Sequence, residues 1–250
     1  MAIVTAAAAL LSGCSRGTVT EGPPPVTGPP RVQIAAIRER AHWFDANDPS
    51  RVAGSQQELV ASSYLLARLE QAGYLVDLDP VPVGNLLHST NVIALPPSGK
   101  AATVVVVDYD TSASAPSDGA AIGTFLELAR SLRALHPHHS VEFAALGAQQ
   151  VAVNGGQVGA RSLIELLRPQ SPQPQIIRIG QVTEHRPEVS VAGAAAAAIR
   201  TAALRTGVAL GARGPVPDDV FTRAGLGETT VDGGLAVGSV LLAYLGATQG

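Results

Sequence analysis

Two blocks of the chain are apolar without interruption: the β-branched run at residues 104–107 and a second run at 141–146. Such runs predict central strands buried on both faces of a sheet. Between them Ile122, Phe125, Leu126, Ala129 and Leu132 recur at helical spacing and predict a helix. Upstream, Ser55-Gln56-Gln57-Glu58 reads as a capping box: the Ser hydroxyl accepts from the N–H three residues on, and the Glu reaches back. That helix turns Leu59, Leu65, Leu66 and Leu69 inward and stops at Gly73. Residues 74–83 and 91–95 read as strands, the latter followed by Pro96-Pro97 and a Ser98-Gly99 turn. After the second apolar run come a helix at 157–167, a Pro/Gln-rich loop, a strand at 175–179, an Ala-rich helix at 191–204 and an apolar helix at 235–245. No internal repeat is visible. Alternating strands and helices predict an α/β fold, a mainly parallel sheet with helices on both faces. In such sheets ligands bind at the carboxyl ends of the strands, where Asp108, Gln149-Gln150 and Gly180 fall.

With 46% apolar and 15% charged residues, the 250-residue chain can bury one sizeable core. The formal charge of −3 and the absence of a Lys/Arg block exclude a nucleic-acid surface, which needs clustered cations against phosphate. The first fourteen residues are apolar but too short to span a bilayer, and they read as the end of a secretory signal. Leu11-Ser12-Gly13-Cys14 resembles the bacterial lipobox, so residues 1–14 are expected to be a lipoprotein signal segment, with lipid on Cys14. Cys14 is the only cysteine, so no intrachain disulfide can form. Residues 15–30, with Pro23-Pro24-Pro25 and Pro29-Pro30, predict an extended tether. The folded domain is expected over 31–250, lipid-anchored to the outer face of the cytoplasmic membrane in a bacterial envelope or otherwise secreted.

Several short motifs, in order and spacing, resemble one family. They are Arg51-Val52-Ala53-Gly54-Ser55, Asn91-Val92-Ile93-Ala94, Asp108-Tyr109-Asp110, Ser117-Asp118-Gly119-Ala120 and Gly147-Ala148-Gln149-Gln150. Together they resemble the aminopeptidase Y family of di-zinc exopeptidases, over roughly residues 31–245. The resemblance implies a three-layer α/β/α sandwich with a mixed, mainly parallel central sheet, and removal of amino-terminal residues with two bridged zinc ions. Its site residues map unfavourably. The first His ligand falls on Asp108, with the Asp of that motif kept as Asp110. The bridging Asp falls on Ser117, beside Asp118. The general base and its neighbouring ligand fall on Gln149 and Gln150, the later Asp ligand on Gly180, and the last His on Asp218 or, with the gap moved, Asp219.

Zinc takes imidazole, thiolate or carboxylate donors, and Gly180 supplies none. An amide at Gln149 cannot take a proton from bound water. The resemblance therefore implies a peptidase-like domain without catalysis or zinc that binds a peptide or an envelope protein in its old cleft. The alternative is an active metal-dependent aminopeptidase with a rearranged site.

Other arrangements compete for the same residues. Gln149-Gln150 read as amides that cap a strand end, while Asp108, Asp110, Asp118 and Asp218 could form an oxygen-rich site for calcium or magnesium. His136, His138 and His139 sit in a Pro-broken connection that reads as a solvated turn rather than a metal site. His42, beside Trp43-Phe44, reads as a partly buried packing residue. No Gly-Xaa-Ser-Xaa-Gly elbow supports a serine hydrolase, and Ser55 is already explained by capping.

Overall fold

The computed structural model describes residues 31–84, 86–112, 118–150, 156–190, 193–214 and 219–248. The leader with Cys14, the tether, Ser117 and Asp218 lie outside the described residues. Eight strands form one mixed sheet: β1 (Val76–Pro82), β2 (His88–Ala94), β3 (Thr103–Asp108), β4 (Val141–Leu146), β5 (Gln175–Ile179), β6 (Glu188–Ser190), β7 (Gly211–Arg213) and β8 (Glu228–Asp232). Their spatial order is β1-β2-β4-β3-β5-β8-β6-β7. β3 lies parallel to both β4 and β5, and β5 to β8, while β1, β2 and the β6–β8 pair introduce the antiparallel steps.

The period-2 alternation of β3 sorts the core into two layers. Val105 and Val107 enter one cluster, with residues from α1 (Ile34–Asn47), α2 (Gln56–Gln71), α3 (Gly119–Leu135), α5 (Ala196–Thr206) and α7 (Val237–Ala247). Val104 and Val106 enter the other, beneath α4 (Val158–Leu167) and the single turn α6 (Val220–Arg223). The expected α/β/α sandwich with a mixed, largely parallel central sheet is the observed architecture.

The structure corrects some local expectations. α1 was not predicted, because its buried stripe of Ala36, Ile37, Arg40 and Phe44 carries a cation in its middle. Arg40 is nonetheless paired there, its Nη1 donating to the fully buried Glu127 at 2.8 Å. The short strands β6 and β7 and the polar-rich β8 also escaped the pattern. Leu59 is exposed rather than inward-facing. Ser55 does cap α2 through the Glu58 N–H, but the Glu58 carboxylate does not reach back to Ser55. It accepts instead from the N–H of Gly54, from Ser89 Oγ and from Tyr109 OH, tying the helix start to β2 and to the end of β3. His42 is exposed, not a packing residue. His139 is buried rather than solvated, its Nε2 2.9 Å from Tyr74 OH, and that burial lowers its pKa to about 4.

Candidate functional site

The carboxyl ends of β3, β5 and β8 open on a cleft of about 270 Å³. Of the candidate residues, Asp108, Asp110, Asp118, Gln150 and Gly180 line it, together with Arg51, Arg178, Arg213 and Asp232. Gln149 does not line it: the Gln149 side chain is buried and folds back so that Nε2 donates to Gly147 O at 3.0 Å. That return follows from Ala148, whose φ of 51° bends the chain in the left-handed region at the end of β4. Of the Gln149-Gln150 pair, only Gln150 faces the cleft, and its backbone N–H donates to Asp110 Oδ2 at 2.9 Å.

Each carboxylate has a local assignment. Asp118 caps α3, accepting from Ala121 N at 2.9 Å and from Val182 N at 3.2 Å. Asp219, the other candidate for the last histidine position, caps α6 through the N–H groups of Phe221 and Thr222, both at 3.0 Å. Asp108 meets Arg178 Nη1 at 2.5 Å, and Arg178 Nε meets Glu228 at 3.1 Å. Burial by itself would lower the Arg178 pKa, but Asp108 and Glu228 outweigh it and raise it, so this guanidinium is a fixed cation. Arg213 pairs with Asp232 in the same way, and Asp232 also accepts from Gln181 N at 3.0 Å. Arg51 is almost fully buried and braces the floor through Tyr109 O at 2.6 Å and Asp48 O at 2.5 Å.

Gly180 explains why no carboxylate extends from the end of β5. A Cβ built there would stand 2.0 Å from Asp232 Oδ1, so the side chain of β8 occupies the space that a β5 side chain would fill. Sequence reasoning missed Arg178, Arg213 and Asp232. One signal was available, since Arg178 is the lone charge in Ile176-Ile177-Arg178-Ile179, and a charge inside an apolar strand calls for a buried partner.

These residues do not fit a zinc pair. The carboxylate at the first histidine position is taken by a guanidinium, and the place of the later aspartate is filled from β8. None of the six histidines lines the cleft. Among the described residues no group of three His, Cys, Asp or Glu side chains is placed to hold a metal ion. Of the carboxylates considered for calcium or magnesium, Asp108 serves Arg178 and Asp118 the α3 terminus, and Asp218 lies outside the described residues.

Asp110, like Glu228, keeps one carboxylate oxygen unpartnered. Asp110 is buried, its Oδ1 has no hydrogen-bond partner among the described residues, and burial raises its pKa to about 7. A carboxylate with a folded-state pKa above its unfolded value favours the fold fully below the unfolded pKa, near 4, and loses that contribution as pH rises through about 7. Asp118, raised to about 6 by burial, acts in the same direction. Asp110→Asn keeps an acceptor for Gln150 N and removes the titration. Its thermal midpoint is expected to exceed that of the unaltered protein by about 5 °C at pH 8 and to match it near pH 4. Melting curves across that range check this; parallel pH profiles for the two proteins would contradict it.

No family model matches the chain, and no curated protein sequence matches it. Solved structures do. A glutaminyl cyclase from an Acidobacteriales bacterium superimposes with a TM-score of 0.72 at 14% identity, covering 92% of this chain and 99% of its own. A leucine aminopeptidase precursor from Bacteroides thetaiotaomicron gives 0.69 at 17% identity, covering 87% and 99%. A Zn-dependent exopeptidase from Parabacteroides distasonis gives 0.61 at 16% identity, covering 82% and 85%. Aminopeptidases and glutaminyl cyclases appear side by side, so the likeness does not single out the aminopeptidase Y family. The chain shares the fold of these zinc-dependent exopeptidases, aminopeptidases and glutaminyl cyclases, and arginine–aspartate pairs line the cleft at the carboxyl ends of its strands.

Proposed function

We propose that this domain binds a short peptide, or a peptide segment of a partner protein, in the Arg178 cleft and does not cleave it. The observation that carries the reading is the Asp108–Arg178–Glu228 chain across the cleft floor, with Asp232 closing the Gly180 position. A guanidinium can attract and orient a carbonyl or carboxylate, but it holds no water to activate and offers no exchangeable ligand position. The amide of Gln149, turned away from the cleft, is no general base. What remains is a concave, charge-patterned surface at the end of the sheet where ligands of open α/β folds bind.

The purified protein is expected to hold no stoichiometric zinc, to release no nitroaniline from aminoacyl-nitroanilides, and to keep its thermal midpoint in EDTA within about 1 °C. Elemental analysis, a chromogenic assay and melting curves check these together. About two zinc ions per chain with turnover would restore the alternative of an active, rearranged aminopeptidase. Binding is tested by passing a random heptapeptide mixture over the immobilised protein and sequencing what is retained. Enrichment that weakens in Arg213→Ser supports the reading; no enrichment overturns it.

A further inference from the structure

At the other end of the sheet, away from the Arg178 cleft, β4 turns Glu142 toward α4, on the side of Ala144 and Leu146. Glu142 is only 6% exposed, yet its carboxylate has no hydrogen-bond or ion-pair partner among the described residues. It forms the floor of a groove of about 390 Å³ between β1 and α4. Leu78, Leu163, Leu166 and Leu167 supply the walls, and Leu78 and Leu166 are each about half exposed at the rim. A second polar atom waits there: Gln170 Oε1 is buried without a donor among the described residues. The groove runs on, through Leu95, Glu142 and Gln170, into a wider hollow walled by Pro96, Pro97 and Pro169.

A buried acceptor left without a donor, as Gln170 Oε1 is, costs free energy, and beside it the nearly buried Glu142 carboxylate meets only the groove; together they point to a ligand that brings donors. The surrounding charges fix the sign. From β1, Asp77 and Asp79 flank the groove, Asp79 accepting from Asn91 Nδ2 at 2.9 Å. The nearby cations are already used. Lys100 Nζ donates to Ser171 O, and the Arg133 guanidinium donates to the carbonyls of Gly73 and Pro137. His138 lies in the wider hollow and is exposed. We propose that this groove binds a small amphiphilic cation, a primary ammonium on an alkyl or aryl body, with the ammonium on Glu142 and Gln170 Oε1 and the body between β1 and α4. A pocket of this size is in the usual range for small molecules, and its pairing of apolar walls with few acceptors suits one charged head. The site is independent of the peptide cleft.

The pH dependence follows with a definite sign. Burial, with Asp77 adding to it, raises the Glu142 pKa to about 7. The ammonium binds the ionised carboxylate, so apparent affinity falls by the fraction ionised, about tenfold from pH 8 to pH 6. The test is isothermal titration of the full chain with n-hexylammonium, 1-hexanol and hexanoate. One saturable hexylammonium site is expected at pH 8, with hexanol and hexanoate at least about tenfold weaker. Glu142→Gln should lose about tenfold or more in hexylammonium affinity and abolish the pH dependence, while keeping a cooperative melt. Should that variant not fold, Leu166→Lys, at an exposed rim position, places a resident cation beside the groove and should exclude the ligand. Equal binding of hexanol, unchanged affinity in both variants, a pH-independent constant, or no saturable site would overturn the proposal.

Discussion

Val105→Asp is expected to abolish the native fold. Val105 is fully buried at the middle of β3, in register with Phe143 of β4 and Ile177 of β5. Its side chain enters the larger core cluster beneath α3. An ionised carboxylate there has no partner and no water, and keeping it neutral by protonation still buries an unsatisfied hydroxyl and carbonyl. The cost of several kcal/mol compares with about 5–15 kcal/mol of total stability for a typical domain. Val105→Ala, which removes apolar contact without introducing charge, should cost about 2 kcal/mol and leave a cooperative transition. Near-UV circular dichroism and denaturant unfolding separate the two outcomes. A cooperative melt of Val105→Asp close to that of the unaltered chain would show that the strand tolerates local exposure.

The second large effect is expected at Glu127. Its fully buried carboxylate accepts from Arg40 Nη1 at 2.8 Å, from Arg130 Nη2 at 2.7 Å and from the backbone N–H of Gln33 at 3.1 Å. It thus pins the amino-terminal helix α1 to α3. Glu127→Ala strands the buried Arg40 guanidinium and should destabilise by about 3–5 kcal/mol. The double substitution Arg40→Met, Glu127→Leu replaces the Arg40 contact by apolar packing and should recover part of the loss, the remainder reflecting Arg130 and the Gln33 N–H left without their acceptor. Urea unfolding of the set measures the coupling. A loss below about 1 kcal/mol in Glu127→Ala would mean that α1 detaches without penalty.

The same residues show why the sequence was partly legible. The strands β3 and β4 and the helix α3 announced themselves because both faces, or one broad stripe, are apolar. α1 was silent because Arg40 sits on its buried face, and a pattern scan takes a cation as exposed until its partner, 87 residues away at Glu127, is known. β8 was silent for a related reason: its buried side chains are polar, with Glu228 held by Arg178, Thr229 by the Ala195 N–H, Thr230 by Glu228 and Asp232 by Arg213. In the cleft, the conversion of Gly180 was read as a missing ligand. The reason it is glycine, the Asp232 carboxylate pressed against its Cα, needs the β5–β8 pairing and is invisible along the chain. Asp108 is legible because it closes a strong strand, and Asp110 and Asp118 through the motifs that carry the resemblance. Their partners were not, because a long arginine can reach them from any neighbouring strand.

Arg178 also alters what the surroundings can do to this protein. A dication held by side chains is in exchange with its medium: it can be stripped by a competitor, displaced by another metal, or withheld when supply falls. A guanidinium attached to β5 is synthesised with the chain and cannot be any of these things. The positive charge facing Asp108 is therefore set at translation and constant across metal starvation, metal excess and the full physiological pH range.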